Sequence, residues 1–287
     1  MYAIFKKEIK QYFLTPVGWI FPAVFLLISG ILYSLQLVFP GNSQYSAFLS
    51  GLVFIFLIVI PLLTMRIFTD EKKFQTDQLL LTGPASLWDI VLGKFFAAMT
   101  VYLITLAVTF IYPVLLDFHG KLDWPMIFGT YIGYILLGAT FISMGVFISQ
   151  VSEGIVGAAI LTFTALMVTF IIDFLQSYMP ANELAGVVWA GILALLPLVW
   201  LYTSTKNWQI TAVIAIILAA VILLLWFLSG DVFQGLVGKS LTWLSLTRRY
   251  SSFSLGILKL DAVVYYLSFS GFFLFLTVQS LEKRRWS

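Results

Sequence analysis

Residues 11–65 read QYFLTPVGWIFPAVFLLISGILYSLQLVFPGNSQYSAFLSGLVFIFLIVIPLLTM, with no charged side chain between Lys10 and Arg66. A helix crossing the hydrocarbon core of a bilayer needs about 20 mostly apolar residues. The run is too long for one crossing and suits two, broken at Phe39-Pro40-Gly41-Asn42-Ser43. Further neutral runs at 95–116, 124–152, 154–172, 184–205, 207–230 and 262–281 continue the pattern. Eight spans are therefore expected, near 17–39, 48–66, 91–116, 125–149, 154–176, 186–203, 209–229 and 261–281. Period-2 alternation is absent, so helices are favoured over a barrel. The pair within 186–229 has a short turn at Thr203–Trp208 and carries Pro197, which leaves a re-entrant segment as the alternative for one of them.

Composition excludes other classes. Charged residues are 10% of the 287 and apolar residues 61%, whereas an ordinary soluble domain carries roughly 25% charge. So few charges cannot coat a water-facing surface, which excludes a soluble globular enzyme and a disordered chain. A net charge of +3 gives no basis for nucleic-acid binding. The absence of cysteine excludes thiol catalysis, cysteine-held metals and disulfides. The expectation is an all-α polytopic membrane protein forming one domain over 1–287. The first apolar run lacks a small-residue cleavage site and is read as a span, not a signal peptide. With the N-terminus cytoplasmic, eleven Lys and Arg fall inside and five outside, four of the five in 230–260. That asymmetry favours cytoplasmic N- and C-termini.

Three segments stay outside the bilayer. In 1–15, Met1, Phe5, Ile9, Tyr12 and Phe13 recur at helical spacing beside Lys6, Lys7 and Lys10. This fits an interfacial amphipathic helix or a simple charged anchor. Residues 66–94 hold the densest charge: Arg66, Asp70, Glu71, Lys72, Lys73, Asp77, Asp89 and Lys94. Leu79-Leu80-Leu81 precedes Gly83-Pro84, which should stop a helix, and Ser86 with Asp89 resembles a capping box opening the next one. Such a helix docks on a soluble partner or lies on the membrane. The segment 230–260, with an apolar stripe through Phe233, Val237 and Leu244, is expected outside, as a capping or partly re-entrant helix or a plain loop helix.

Other constellations carry little chemistry. Gly238-Lys239-Ser240 fails as a phosphate loop, because Phe233 stands where the first glycine belongs. His119, the only histidine, with Asp117 and Asp123 makes a weak metal motif in a loop. Asp173 lies near the outer end of the fifth span, either at the interface or facing a polar path. Glu153 sits in the turn before that span, as a contact for a partner or a cap. Gly129 and Gly133 form a GxxxG suited to internal packing or a dimer seam.

The stretch 61–94 (PLLTMRIFTDEKKFQTDQLLLTGPASLWDIVLGK) resembles the signature loop of type 2 ABC-transporter permeases. The family pattern runs from an acidic-basic cluster through an acidic residue, three apolar residues and Thr-x-Pro to Gly-Lys at the third span. The closing residues 261–286 are similar to the last span of the gliding-motility and copper-maturation permease subgroup. Gln75 stands where the family usually has glycine, and Gln78, beside Asp77, where it usually has an acid. The resemblance implies a six-span exporter permease core, with 186–229 as an extra helix pair. It implies ATPase coupling through a 70–82 helix, with Asp70, Glu71, Lys72, Lys73, Thr76, Asp77, Gln78, Leu79, Leu80, Leu81 and Pro84 at the contact; Glu153, from its place in the turn, is a candidate for a second cytoplasmic contact. The 67–90 loop would be the coupling loop, 1–15 the interfacial elbow and 230–260 the gate region. The partners implied are two copies of an ATPase subunit holding ATP and magnesium, a second permease, identical or related, and membrane lipids. No cofactor, metal or catalytic residue is implied in this chain. An ion-driven secondary transporter would show paired intramembrane charges and related halves. An intramembrane lipid-modifying enzyme would show clustered polar residues. Neither pattern is seen.

Overall fold

The structure, a computed structural model, describes residues 1–41, 44–76, 78, 83, 85–118, 122–176, 178–179, 182–228 and 230–286. The chain is 86% helical, without a strand among the described residues. Seven helices among those residues are long and apolar enough to cross a membrane: Gly18–Val38, Tyr45–Lys73, Leu87–Asp117, Trp124–Val151, Ile155–Gln176, Trp208–Leu228 and Leu260–Arg285. Glu183–Val199, the apolar part of the helix Glu183–Thr205, is a shorter one. Each falls on a segment expected from the neutral runs. Tyr45–Lys73, Leu87–Asp117, Ile155–Gln176 and Leu260–Arg285 overrun those runs, because backbone hydrogen bonding continues past the hydrocarbon into the polar boundary.

The chain divides into two compact units, Met1–Thr169 with Leu246–Ser287, and Phe170–Ser245. In the first unit the helix Trp124–Val151 is the central post. Its small residues let neighbours close in. A methyl group on Gly133 would come within 2.5 Å of Phe253 Cβ, and one on Gly138 within 2.5 Å of the Tyr102 ring. One on Gly145 would meet Thr64 Oγ1 at 2.3 Å. The GxxxG face is thus internal packing, the gain in close contact that small residues allow between membrane helices. The short helix Leu246–Ser254 belongs to this unit and buries Leu246, Tyr250 and Phe253. Tyr266 OH donates to the Leu246 carbonyl at 2.6 Å and ties it to the last span.

The N-terminal residues form the helix Tyr2–Leu14, which ends at Thr15 before Pro16 opens the first span. Proline is favoured in a first helical turn, where its missing N–H costs nothing. The corner is tight: a methyl group on Gly18 would lie 1.8 Å from the Tyr12 carbonyl oxygen. The second span is not uniform. It runs as α-helix over Tyr45–Leu52, tightens to a 3₁₀ turn at Val53–Ile55 and resumes over Phe56–Thr64. Tyr134 OH donates to the Leu52 carbonyl there at 3.2 Å.

The second unit contains both helices of the pair at 186–229 and the helix Leu236–Leu244. The turn between the pair has Lys206 in the left-handed region (φ 49), and Asn207 Oδ1 accepts the Gln209 N–H at 3.0 Å, capping Trp208–Leu228. Gly238-Lys239-Ser240 is helical, and Ser240 Oγ accepts the Trp189 indole N–H at 2.8 Å. A phosphate-binding loop has no place in that conformation.

Candidate functional site

At one end of the first unit, four charges from three separate segments converge. Lys94, near the start of the third span, is 1% exposed. Its ammonium donates to Glu8 Oε1 at 3.0 Å and to the Ile67 carbonyl at 2.8 Å, and pairs with Glu71 Oε1 at 3.0 Å. Two of the ammonium's three donors are thus hydrogen-bonded, and Glu71 adds a second carboxylate at ion-pair distance. The Phe68 ring lies 5.1 Å from the same nitrogen, a distance at which its π face attracts a cation. Lys7 closes the group from the rim, 3.4 Å from Glu71 Oε1 and 3.9 Å from Glu8 Oε1. Two cations thus face two anions, and the cluster is neutral. Burying charge is expensive unless paired and hydrogen-bonded. Here Glu8 of the N-terminal helix, Glu71 of the loop and Lys94 of the third span each satisfy that condition only while all three segments stay in place.

Gly93 explains how the segments meet. A methyl group there would lie 3.1 Å from Ile4 Cγ2 and 3.4 Å from the Met1 carbonyl oxygen. The glycine therefore lets the N-terminal helix lie directly against the third span, so that Lys94 reaches Glu8. The third span itself begins at Ser86, whose Oγ accepts the Asp89 N–H at 3.1 Å and donates to Asp89 Oδ2 at 2.7 Å. This is the capping pair expected from Ser86-Leu87-Trp88-Asp89.

The loop also grips the fourth span. Lys72 Nζ donates to the carbonyls of Gln150 and, at 3.0 Å, Ser152. These lie at the end of Trp124–Val151, where the last carbonyls lack helical partners and the helix dipole favours a cation. The Phe68 N–H donates to Ser149 Oγ at 3.1 Å. The short helix Thr69–Lys73 is thereby fixed at both ends of its length, Phe68 and Lys72 to the fourth span and Glu71 to the third. Tyr12 OH donates to the Leu63 carbonyl at 3.0 Å, adding the N-terminal helix to the same joint. Burial pushes that phenol above its ordinary range, so the hydroxyl keeps its proton and remains a donor.

The helix stops sooner than the expected 70–82. After Lys73 the Gln75 N–H bonds the Lys72 carbonyl at 3.2 Å and the Thr76 N–H bonds the Glu71 carbonyl at 3.0 Å. This is a Schellman cap, which requires a left-handed residue after the helix. Gln75 occupies that position with φ 54. The position where the resemblance led us to expect glycine is thus one where the backbone favours glycine. Beyond the cap, Phe74, Thr76 and Gln78 are exposed, as is Lys73. Asp77, Leu79, Leu80, Leu81 and Pro84 lie outside the described residues.

Asp70, half-buried, lines a small pocket with Glu8, Tyr12 and Arg66. Glu153 is exposed in a cleft between the ends of the fourth and last spans, separate from the Lys94 cluster. Asp173, in the second unit, accepts a hydrogen bond from Ser245 Oγ at 2.8 Å, one turn before its helix ends at Gln176. His119 lies outside the described residues, and no cluster of metal-ligating side chains occurs among the described ones. Lys94, Glu8, Lys7 and Ser149 are the parts of the joint that sequence reasoning missed. Lys94 carried a signal, the Gly-Lys pair. Glu8 was hidden in a helix read only for its basic face.

The geometry defines a class: a multi-pass helical membrane protein whose polar work is concentrated in a joint at one end of the bundle. The family model described as ABC-2 family transporter protein matches residues 2–279, and the chain belongs to that family. Its members are the membrane components of transporters, with ATPase activity in a separate subunit, and they generally work with such a partner. No curated protein matches the chain.

Proposed function

We propose that this chain is the permease subunit of an ATP-driven exporter in the cell membrane, with both termini in the cytoplasm. A separate ATPase subunit, holding ATP and magnesium, seats on the loop from Asp70 to Pro84. The observation that carries this reading is the clamping of Thr69–Lys73 by Lys94 and by the end of the fourth span. A loop that merely connected two spans would need no such fixture. A loop that receives force must be joined stiffly to what it moves, because coupling requires that one input bias a two-state element. Here a push on Phe74, Thr76 and Gln78 passes through Glu71 to Lys94 and through Lys72 to Gln150 and Ser152. ATP-driven approach of two ATPase copies would so repack the third and fourth spans between inward and outward states. A second permease, identical or related, completes the path, with lipid around it. The clustering of Lys7, Lys72, Lys73 and Lys94 at one end supports the orientation. The closing residues 261–286 favour the gliding-motility and copper-maturation subgroup.

The test uses the chain's lack of cysteine. A single Phe74→Cys or Gln78→Cys should crosslink to a cysteine on the copurified ATPase, and the crosslinked complex should lose transport. Labelling of Gln78→Cys by an impermeant maleimide from outside intact cells would defeat the reading.

A further inference from the structure

The ends of the fourth and last spans enclose an open cleft of about 580 Å³, bounded by Gln150 and Glu153 on one side and Ser280, Lys283 and Arg284 on the other, with Lys72 beside them. Three features there have no structural use. Gln150 is 2% exposed, and its amide oxygen has no hydrogen-bond partner. A buried acceptor without a donor costs free energy, and native proteins leave few of them. Glu153 and Lys283 carry opposite charges into the same cleft, yet neither makes an ion pair within 4.0 Å among the described residues. The lip carries an exposed apolar side chain, Val151, 55% exposed. The cleft thus offers acceptors on one wall, cations on the other and a greasy edge.

We infer that this cleft binds the head group of a phospholipid bearing a primary ammonium next to its phosphate. The ammonium sits on Glu153 and the Gln150 amide oxygen, and the phosphate on Lys283 and Arg284. The two walls hold apart opposite charges that would otherwise close on each other, as a zwitterion between them requires. A primary ammonium supplies the N–H donor that Gln150 lacks, whereas a choline group has no N–H and a glycerol head group no cation. The height is also right. Lys283, Arg284 and Arg285 end an apolar span, the level at which basic side chains meet head groups. Glu153, read from sequence as a contact for a partner or a cap, is here assigned to lipid.

The experiment places the full-length chain in nanodiscs of phosphatidylcholine containing equal fractions of phosphatidylethanolamine and phosphatidylglycerol. Lipid retained after release is counted by native mass spectrometry. Phosphatidylethanolamine should be enriched over both other lipids. Glu153→Gln should lower its ratio to phosphatidylglycerol by up to about tenfold, the loss of one charge-assisted hydrogen bond. Lys283→Gln combined with Arg284→Gln should lower retention of both. These side chains are exposed, so the variants should fold. Enrichment of phosphatidylglycerol instead, or an unchanged ratio in Glu153→Gln, would overturn the inference. Equal retention of all three lipids would do the same and leave the cleft to an acidic protein segment. Competition by soluble glycerophosphoethanolamine would overturn a lipid as the source of the head group.

Discussion

The two ends of the first unit are built from different polar chemistry. At one end, Lys94 is locked by two carboxylates and a carbonyl, and Lys72 by the last carbonyls of the fourth span. At the other, the buried contacts are neutral, and the ion pair there, Arg249 with Asp261 at 3.8 Å, involves a carboxylate 70% exposed. Tyr45 OH and Tyr131 OH lie 2.8 Å apart, Thr109 Oγ1 lies 3.2 Å from Tyr131, and Tyr33 stacks on Tyr112 at 4.7 Å. Ser29 Oγ lies 3.2 Å from Tyr112 OH. Hydroxyls both donate and accept, so they exchange partners at small cost. A buried ion cluster cannot do this, since any opening strands a charge. The difference suits a molecule in which one end transmits a displacement as a unit and the other rearranges in response. The 3₁₀ turn at Val53–Ile55 lies between them in the second span, and a mid-helix 3₁₀ stretch often marks a hinge.

The largest effect should come from the charged end. Lys94→Met removes the common partner of Glu8 and Glu71, which are 7% and 12% exposed at their side chains. Breaking a buried ion group on one side costs about 3–5 kcal/mol. Thermal unfolding of the purified chain should show a large fall, and coupling of ATP hydrolysis to transport should be lost. Adding Glu8→Gln and Glu71→Gln to Lys94→Met should recover much of the stability, because the one charge left, on Lys7, is 57% exposed at the rim and no buried charge is stranded. Persistent instability in the triple variant would show that packing, not charge, holds the joint. At the far end, Gly133→Ala forces a methyl group against Phe253. Overpacking of this kind costs about 1–3 kcal/mol, read as a smaller shift in the same unfolding measurement. A shift matching that of Lys94→Met would erase the contrast between the ends.

Much of the fold was legible because lipid imposes one rule on every residue of a span. Neutral runs such as 11–65 have no other stable disposition in a chain this poor in charge. The Ser86 cap was legible for a similar reason, since all its parts lie within four residues. The joint was only partly legible. Glu71 and Lys72 announced themselves by local charge density. Glu8 and Lys94 are 86 positions apart, and nothing periodic links them. Their meeting depends on how closely the N-terminal helix approaches Gly93, a packing fact with no local signature. The early stop of the 69–73 helix was missed because glutamine is an ordinary helix former, and its left-handed backbone is fixed by the hydrogen bonds of Glu71 and Lys72.

The smaller effects sharpen the comparison further. Tyr131→Phe removes a hydroxyl shared with Tyr45 and Thr109. Tyr45 OH still faces the Thr109 carbonyl at 3.5 Å, so the cost should be about 1 kcal/mol or less. A much larger fall in unfolding temperature would mean that the far end is as rigid as the joint.

Gln75→Gly should act in the opposite direction. The side chain is exposed, and φ is 54. A non-glycine residue in the left-handed region costs roughly 1–2 kcal/mol. Glycine gives part of this back through its greater freedom in the unfolded chain. The net gain should be about 0.5–1 kcal/mol, seen as a modest rise in unfolding temperature and slower proteolysis between Lys73 and Ser86. If stability falls instead, the Gln75 side chain must itself hold the cap. If it rises while coupling is unchanged, the strain at Gln75 serves no purpose in transmission. The stiffness of the joint then resides in Lys94 and Lys72 alone.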